Sequence, residues 1–485
     1  MLQFPRIIQG GMGVGVSNWR LANAVSSLGQ LGVVSGTALD TVFVRRLADG
    51  DPGGHMRRGL DAFPFPEMAR RIWQEYFVPG GKSSDSPYPN LPMHQHATLR
   101  KRAELCIVSN FVEVFLAREG HKNPVGINFL EKVQLPHLAS IYGAMLAGVG
   151  YVLMGAGIPL QIPAVLDAYA VHQPADYKLA VTGEMRDREI AMHFAPADYA
   201  EGPLPELTRP RFLAIISSNT LAATMLRRAS GRVDGFIVEG PTAGGHNAPP
   251  RGKLQLSAKG EPIYGERDAV NLAGLRDLGV PFWLAGGFGG PGRLQEALDE
   301  GAEGIQVGTA FAFSQESGLR GDLKAAVIEQ AAAGSAAVFT DSRVSPTGFP
   351  FKVVQLEGTG SEAAAYQARQ PVCDLGYLRE LYEMPDGRIG YRCAAEPLAT
   401  YVAKGGDAQD TEGRKCLCNA LLANIGLAQV REGGAAELPL LTAGDDLNAI
   451  AQYIAPATKS YSAADVVKSL LQVDGVRDRL TAMSA

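Results

Sequence analysis

Cysteine is scarce in this chain, five residues in 485. So few thiols in so long a chain do not make a disulfide framework, and a reducing cytoplasmic setting is expected. An excess of positive charge is missing as well. Lys and Arg number 45 against 50 Asp and Glu, a net charge of −5. A nucleic-acid surface needs clustered basic side chains to meet phosphates, so no nucleic-acid partner is expected. The first residues, MLQFPRIIQGGMG, lack the charged region, apolar run and small-residue cleavage site of a secretion signal. Residues 133–166 contain no Asp, Glu, Lys or Arg, but Pro136, Pro159 and Pro163 interrupt them, as do Gly143, Gly148, Gly150, Gly155 and Gly157. A membrane helix wants about 20 unbroken apolar residues. The stretch therefore reads as buried helix, strand and loop, and no membrane is implied. No GxGxxG follows an early strand, which argues against a dinucleotide fold.

What is present is apolar and rich in glycine: 46% hydrophobic residues, 20% charged, and 57 glycines. Eight short apolar runs recur, at Arg6–Gln9, Gly32–Ser35, Val125–Asn128, Tyr151–Met154, Phe212–Ser217, Gly235–Glu239, Phe282–Ala285 and Gly304–Val307. Their hydrophobicity is continuous, as in parallel strands buried on both faces. Amphipathic stretches lie between them. Ser17 or Asn18 is a candidate cap for a helix through Leu28, Pro159 for a first helical turn, and Pro291 opens a helix that stops at Gly301. This alternation predicts an α/β fold, a closed (β/α)8 TIM barrel, with an open doubly wound sheet as the alternative.

At 485 residues the chain exceeds a plain barrel of about 250. Residues 1–345 are assigned to the barrel, with insertions at about 50–105 and at 171–210, the latter read as a hairpin around a charged turn. Beyond residue 345 the strand–helix rhythm disappears, and 346–485 are expected to be a mostly helical region packed on the barrel.

Ligands of such barrels meet the loops after the strand C-termini. Those loops carry Gly10-Gly11-Met12-Gly13, Asn128, Gly155-Ala156-Gly157, the run from Glu239 to His246, Gly286-Gly287-Phe288-Gly289-Gly290, and Gly308-Thr309. The last two follow strands seven and eight, where many barrels bind phosphate, and consecutive glycines let backbone N–H groups point into one concave nest. Thr309 adds a hydroxyl. His246 is the histidine that ends a glycine-rich strand loop. Its ordinary pKa near 6.5 suits proton transfer. His94-Gln95-His96 lacks further ligands in sequence. Cys373, Cys393, Cys416 and Cys418 match no common zinc or iron–sulfur spacing and read as buried thiols. No metal is expected.

These blocks together resemble the nitronate monooxygenase family, formerly 2-nitropropane dioxygenases. RIIQGGMGVGVSNWRLANAVSSLGQLGVVSG, GAGIP, EGPTAGGH, LAGGFG and GIQVGTAF follow in the family's order and cover most of residues 6–313. The resemblance implies a TIM-barrel enzyme that binds FMN. Gly11, Met12, Gly13 and Asn128 would lie along the flavin, with Gly244 and Gly245 beside it. Gly286, Gly287, Gly308 and Thr309 would hold its phosphate, and His246 would be the catalytic residue. Two activities are implied: oxidation of nitronates or nitroalkanes with O2, or reduction of an enoyl thioester by NAD(P)H, with an acyl carrier protein as partner. The long insertions and YRCAAEPLATYVAKGG resemble the larger reductase members of polyketide and polyunsaturated fatty-acid synthesis. Gly11 stands where small members usually have proline. The lysine some members place after strand five is absent, leaving Ser217 and Ser218 as the nearest polar groups. Homo-oligomerisation stays open.

Overall fold

The computed structural model describes residues 4–183, 189–431 and 434–471. Eight parallel strands form one sheet: β1 (Ile7–Gln9), β2 (Gly32–Ser35), β3 (Val125–Leu130), β4 (Tyr151–Gly155), β5 (Arg211–Ile216), β6 (Gly235–Glu239), β7 (Phe282–Ala285) and β8 (Gly304–Val307). Neighbours in sequence are neighbours in space, and β8 pairs with β1 in register Ile7↔Ile305 and Gln9↔Val307. The last seam, β1 to β2, closes through an Ile8–Leu31 bridge, with Gln9 N donating to Leu31 O at 2.9 Å and Leu31 N to Ile7 O at 3.0 Å. The sheet is therefore a closed barrel and not the open doubly wound alternative.

Alternate strand residues point to opposite faces. Ile8, Val33, Leu153, Leu213, Ile237 and Trp283 pack together as a separate buried cluster filling the barrel. Trp283 also donates its indole N–H to Pro5 O at 2.8 Å, with Phe4 edge-on against its ring. Ile7, Val34, Ile127, Val152, Phe212, Phe236 and Ile305 join the helices in the main core. This double burial is why the runs are apolar at most positions, with polar residues such as Gln9, Ser35 and Glu239 at their C-terminal ends.

The helix Trp19–Ser27 is capped by Asn18, whose side chain accepts from Leu21 N at 2.9 Å. Pro159 lies outside a first turn, because the helix after β4 begins at Ile162 with Pro163 in that role. No described helix is long and apolar enough to cross a membrane. Residues 133–166 instead contain the helix His137–Leu146, β4 and the start of the next helix.

The 50–105 segment holds helices His55–Asp61 and Pro66–Tyr76 and the first turns of a long helix, Arg100–Ala117. In the 171–210 segment, Ala175–Lys178 pairs antiparallel with Ala191–Phe194. The charged turn expected between them, residues 184–188, lies outside the described residues. Beyond residue 345, short helices alternate with the strands Phe351–Val354, Glu380–Glu383 and Ile389–Arg392. Val181–Thr182 adds to the strand Glu380–Glu383, joining the second insertion to this region.

A buried polar cluster makes another such join. Asp40, from the helix after β2, accepts from Arg102 at 3.0 Å, from His94 at 2.8 Å and from the Tyr377 hydroxyl. Burial alone would raise the Asp40 pKa, but Arg102 and His94 hold it well below the usual carboxylate range. Arg102→Ala would leave that carboxylate buried without its charge partner, at a cost of about 3–5 kcal/mol. Tyr377→Phe keeps that charge pair and removes the hydroxyl shared with Asp40, Thr41 and Arg102, at about 1–3 kcal/mol. Thermal melts should rank Arg102→Ala well below Tyr377→Phe; equal midpoints would show that the charge pair does not hold these segments together.

Candidate active site

The C-terminal ends of the strands converge on one cavity of about 230 Å³. Gly11, Met12, Gly13, Asn128, Gly244, Gly245, His246, Gly286, Gly287, Gly308 and Thr309 all line it. The loops that bring them there are shaped by short local ties. Ser17 Oγ accepts from Met12 N at 2.8 Å and donates to Gly10 O at 2.8 Å, folding the first loop over β1. A Cβ on Gly11 would lie 2.2 Å from Asn128 Cβ, so a proline does not fit above this asparagine. Gly286 and Gly287 have φ of +91° and +78°, a conformation that glycine adopts without strain.

His246 sits at the cavity wall, edge-on to Phe351 with ring centres 4.8 Å apart. Its Nε2 shares a 2.7 Å hydrogen bond with Ser345 Oγ. Burial lowers its pKa to about 4, so the imidazole is neutral near pH 7, further from its solution value than the sequence suggests. Beside it, Glu239 closes β6 and borders the same space. Burial raises the Glu239 pKa to about 8, with no cation to oppose the shift. Near neutral pH the pair is therefore an uncharged acid and an uncharged base.

A second cavity, of about 270 Å³, shares Ala156, Ile215, Glu239 and His246 with the first and extends to Ser217, Arg251 and Tyr264. Of the serines after β5, Ser217 reaches this space, while Ser218 caps the following helix through Leu221 N.

Residues far along the chain complete the mouth. Leu441, Thr442, Ala443, Gly444 and Asp446 form a strap across it, and Leu421 and Asn424 come from the helix Leu417–Asn424. Thr442 Oγ1 accepts from Gly245 N at 2.7 Å, and Thr309 Oγ1 accepts from Gly444 N at 2.9 Å. Asp446 lines the same wall, and burial raises its pKa. Thr309 Oγ1, the hydroxyl read as a ligand group, therefore already accepts one hydrogen bond from the strap. Gln306 Oε1 is buried in the cavity wall with no hydrogen-bond partner.

Glu239 was in plain view at the end of β6, but its lack of a partner depends on the packing around it. Asp446 and the strap had no signal nearby in sequence. His94 lies elsewhere. Its trio with Asp40 and Cys106 gathers possible metal ligands within 4.8 Å, but the Arg102 guanidinium pairs with Asp40 there and opposes a cation.

The two perturbed groups predict a pH dependence. The unfolded chain ionises Glu239 near its ordinary pKa of 4.5 but the folded chain only near 8. That contribution to stability is therefore lost as pH rises from about 4.5 through 8. His246, lowered from 6.5 to about 4, costs stability as pH falls below 6.5. Glu239→Gln should flatten the thermal midpoint between pH 5 and 8, and His246→Phe should flatten it between about 6.5 and 4. Melting curves parallel to the parent's across those ranges would place both groups in water.

Comparison with known proteins agrees with this geometry. Residues 161–346, which carry β5 to β8 and their loops, match the nitronate monooxygenase family model. The chain is 32% identical over 114 residues to a probable nitronate monooxygenase of Staphylococcus saprophyticus, covering 23% of this chain and 31% of that protein. It is 28% identical over 169 residues to a nitronate monooxygenase of Pseudomonas aeruginosa, covering 34% of this chain and 45% of that one. The matches thus span less than half the length of these relatives. The solved nitroalkane oxidase of Streptomyces ansochromogenes aligns over 99% of this chain and 98% of its own, with 16% identity and a TM-score of 0.48. The segment similar to the nitronate monooxygenase family, residues 161–346, carries strands β5 to β8 of the closed barrel.

Proposed function

We propose that this chain is an FMN-dependent oxidoreductase of the nitronate monooxygenase type, with residues 1–345 as the flavin barrel and 346–485 closing its mouth. The observation that carries the reading is the convergence of the glycine loops, the neutral His246 and an adjoining cavity on one apolar space. The site fits a flavin in three respects. Gly286 and Gly287 leave backbone N–H groups unshielded on one loop, and Gly308 opens the next. Gln306 offers an unpaired buried acceptor. Gly11 and Gly13 keep side chains out of the space beside Met12. Bound there, FMN supplies the two-electron chemistry, and the protein supplies position, electrostatics and proton handling.

His246 is the proposed catalytic group. In the proposed tautomer Nε2–H donates to Ser345 Oγ, which leaves Nδ1 to take a proton from the carbon beside a nitro group. Neutral Glu239 is placed to donate. The size of the second cavity favours a related reading, in which the substrate is longer than a small nitroalkane and an enoyl thioester is reduced with NAD(P)H. Anaerobic addition of nitronate or of NADH to the purified yellow protein separates the two by which one bleaches it. A colourless protein that takes up no FMN on reconstitution would end both readings.

His246→Ala should keep its FMN content and lose turnover by about 10²–10⁴-fold, the range for a positioned acid–base group. Undiminished turnover would reduce His246 to a packing residue. Asp446 sits on the nest proposed for phosphate, and burial raises its pKa. Asp446→Asn removes a like charge and should strengthen FMN relative to riboflavin by roughly tenfold, a modest fraction of a close charge–charge term. An unchanged ratio in titrations of the two flavins would put the phosphate elsewhere.

A further inference from the structure

Four of the five cysteines meet beyond residue 345. Cys373, Cys393, Cys416 and Cys418 line one small cavity of about 10 Å³, enclosed by Leu375, Leu378 and Leu417. None of them is in a disulfide. They arrive from separate segments: Cys373 from a loop, Cys393 after the strand Ile389–Arg392, and Cys416 and Cys418 from the start of the helix Leu417–Asn424. That convergence was not visible from their spacing, which had suggested packed thiols.

The Asn419 side chain donates to Cys416 Sγ at 3.6 Å, and Cys373, Cys393 and Cys418 face the same space. Hydrogen bonds to sulfur stabilise thiolates that carry a metal and tune what they bind. Arg379 and Lys404 direct positive charge at Cys373, against which Glu396 is the facing acid.

We propose that Cys373, Cys393, Cys416 and Cys418 hold a thiolate-ligated metal centre. The shared chemistry is four soft sulfur ligands, which suit zinc or an iron–sulfur cluster. Each thiol gives its proton to solvent as its sulfur–metal bond forms. The two occupants place the sulfurs differently. Zn–S bonds of about 2.3 Å in a tetrahedron set the sulfurs roughly 3.8 Å apart, whereas no three of these sulfurs gather within 4.8 Å. The wider set suits a cluster; the small cavity suits a single ion. In either case the centre anchors the N-terminal end of the helix whose Leu421 and Asn424 line the main cavity. Its role is to position that wall.

The test is metal and acid-labile sulfide analysis of the full chain purified without oxygen from cells supplied with both iron and zinc. The proposal expects about one zinc per chain, or iron with matching sulfide. Either should fall at least tenfold in Cys393→Ser and Cys416→Ser and persist in Cys106→Ala, whose thiol lies elsewhere beside Asp40. If the serine variants do not fold, chelator or acid release from the parent supplies the same readout, with new thiols titrating as the metal leaves. A parent chain carrying less than a tenth of a metal per molecule, with all five thiols free, overturns the proposal. So does metal that remains in both folded serine variants.

Discussion

Between Gly244 and Ala443 two backbones meet with no side chain to separate them: a Cβ on Gly244 would lie 2.7 Å from the Ala443 carbonyl carbon. The same holds one residue on, where a Cβ on Gly444 would come 2.8 Å from Thr242 O. Asp445 N donates to Thr242 O at 3.0 Å, and Lys352, itself buried, pairs with Asp445 at 2.6 Å. This contact joins a barrel loop to a strap almost two hundred residues away and gives the cavity its wall on that side. If larger side chains stood at either glycine, the strap would lift and the barrel mouth would open to water.

Closing the mouth with backbone has an electrostatic consequence. Burial makes His246 and Glu239 neutral near pH 7, and the buried Lys352 is paired with Asp445. The field inside the cavity then comes largely from oriented peptide groups at the glycine loops. Such dipoles are fixed before any ligand arrives and need no reorganisation when charge develops. The exception is Asp446, which lines the same cavity beside those loops.

The region beyond residue 345 is attached in two ways. Leu447, Ile450, Tyr453, Tyr461, Val466 and Leu470 pack into the main core with the barrel helices. Polar joins add to this at the strap, at the Asp40 cluster with Tyr377, and at the pairing of Val181–Thr182 with Leu381–Tyr382. Polar joins depend on geometry, since a buried charge or hydroxyl stabilises only when its partner is in place.

The eight barrel strands were legible because a strand buried on both faces is apolar on both, not on one, and a glycine or polar residue marks its end. Predicted and observed ends agree within two residues, from Ile7–Gln9 to Gly304–Val307. Once the barrel is known, the site follows from the rule that loops after the strand C-termini face the ligand. That is why Gly11, Asn128, His246, Gly286 and Thr309 line one cavity. Local signals also decided the Asn18 cap, though Pro159 misled because Pro163 offered the same signal four residues later. Tertiary structure alone decided the rest: the strap over Gly244, the burial of Glu239 without a cation, the hydrogen bond from Gly444 to Thr309, and the meeting of four cysteines. Each depends on contacts between segments distant in sequence or on the exclusion of water from a closed space. Neither leaves a periodic mark in the chain.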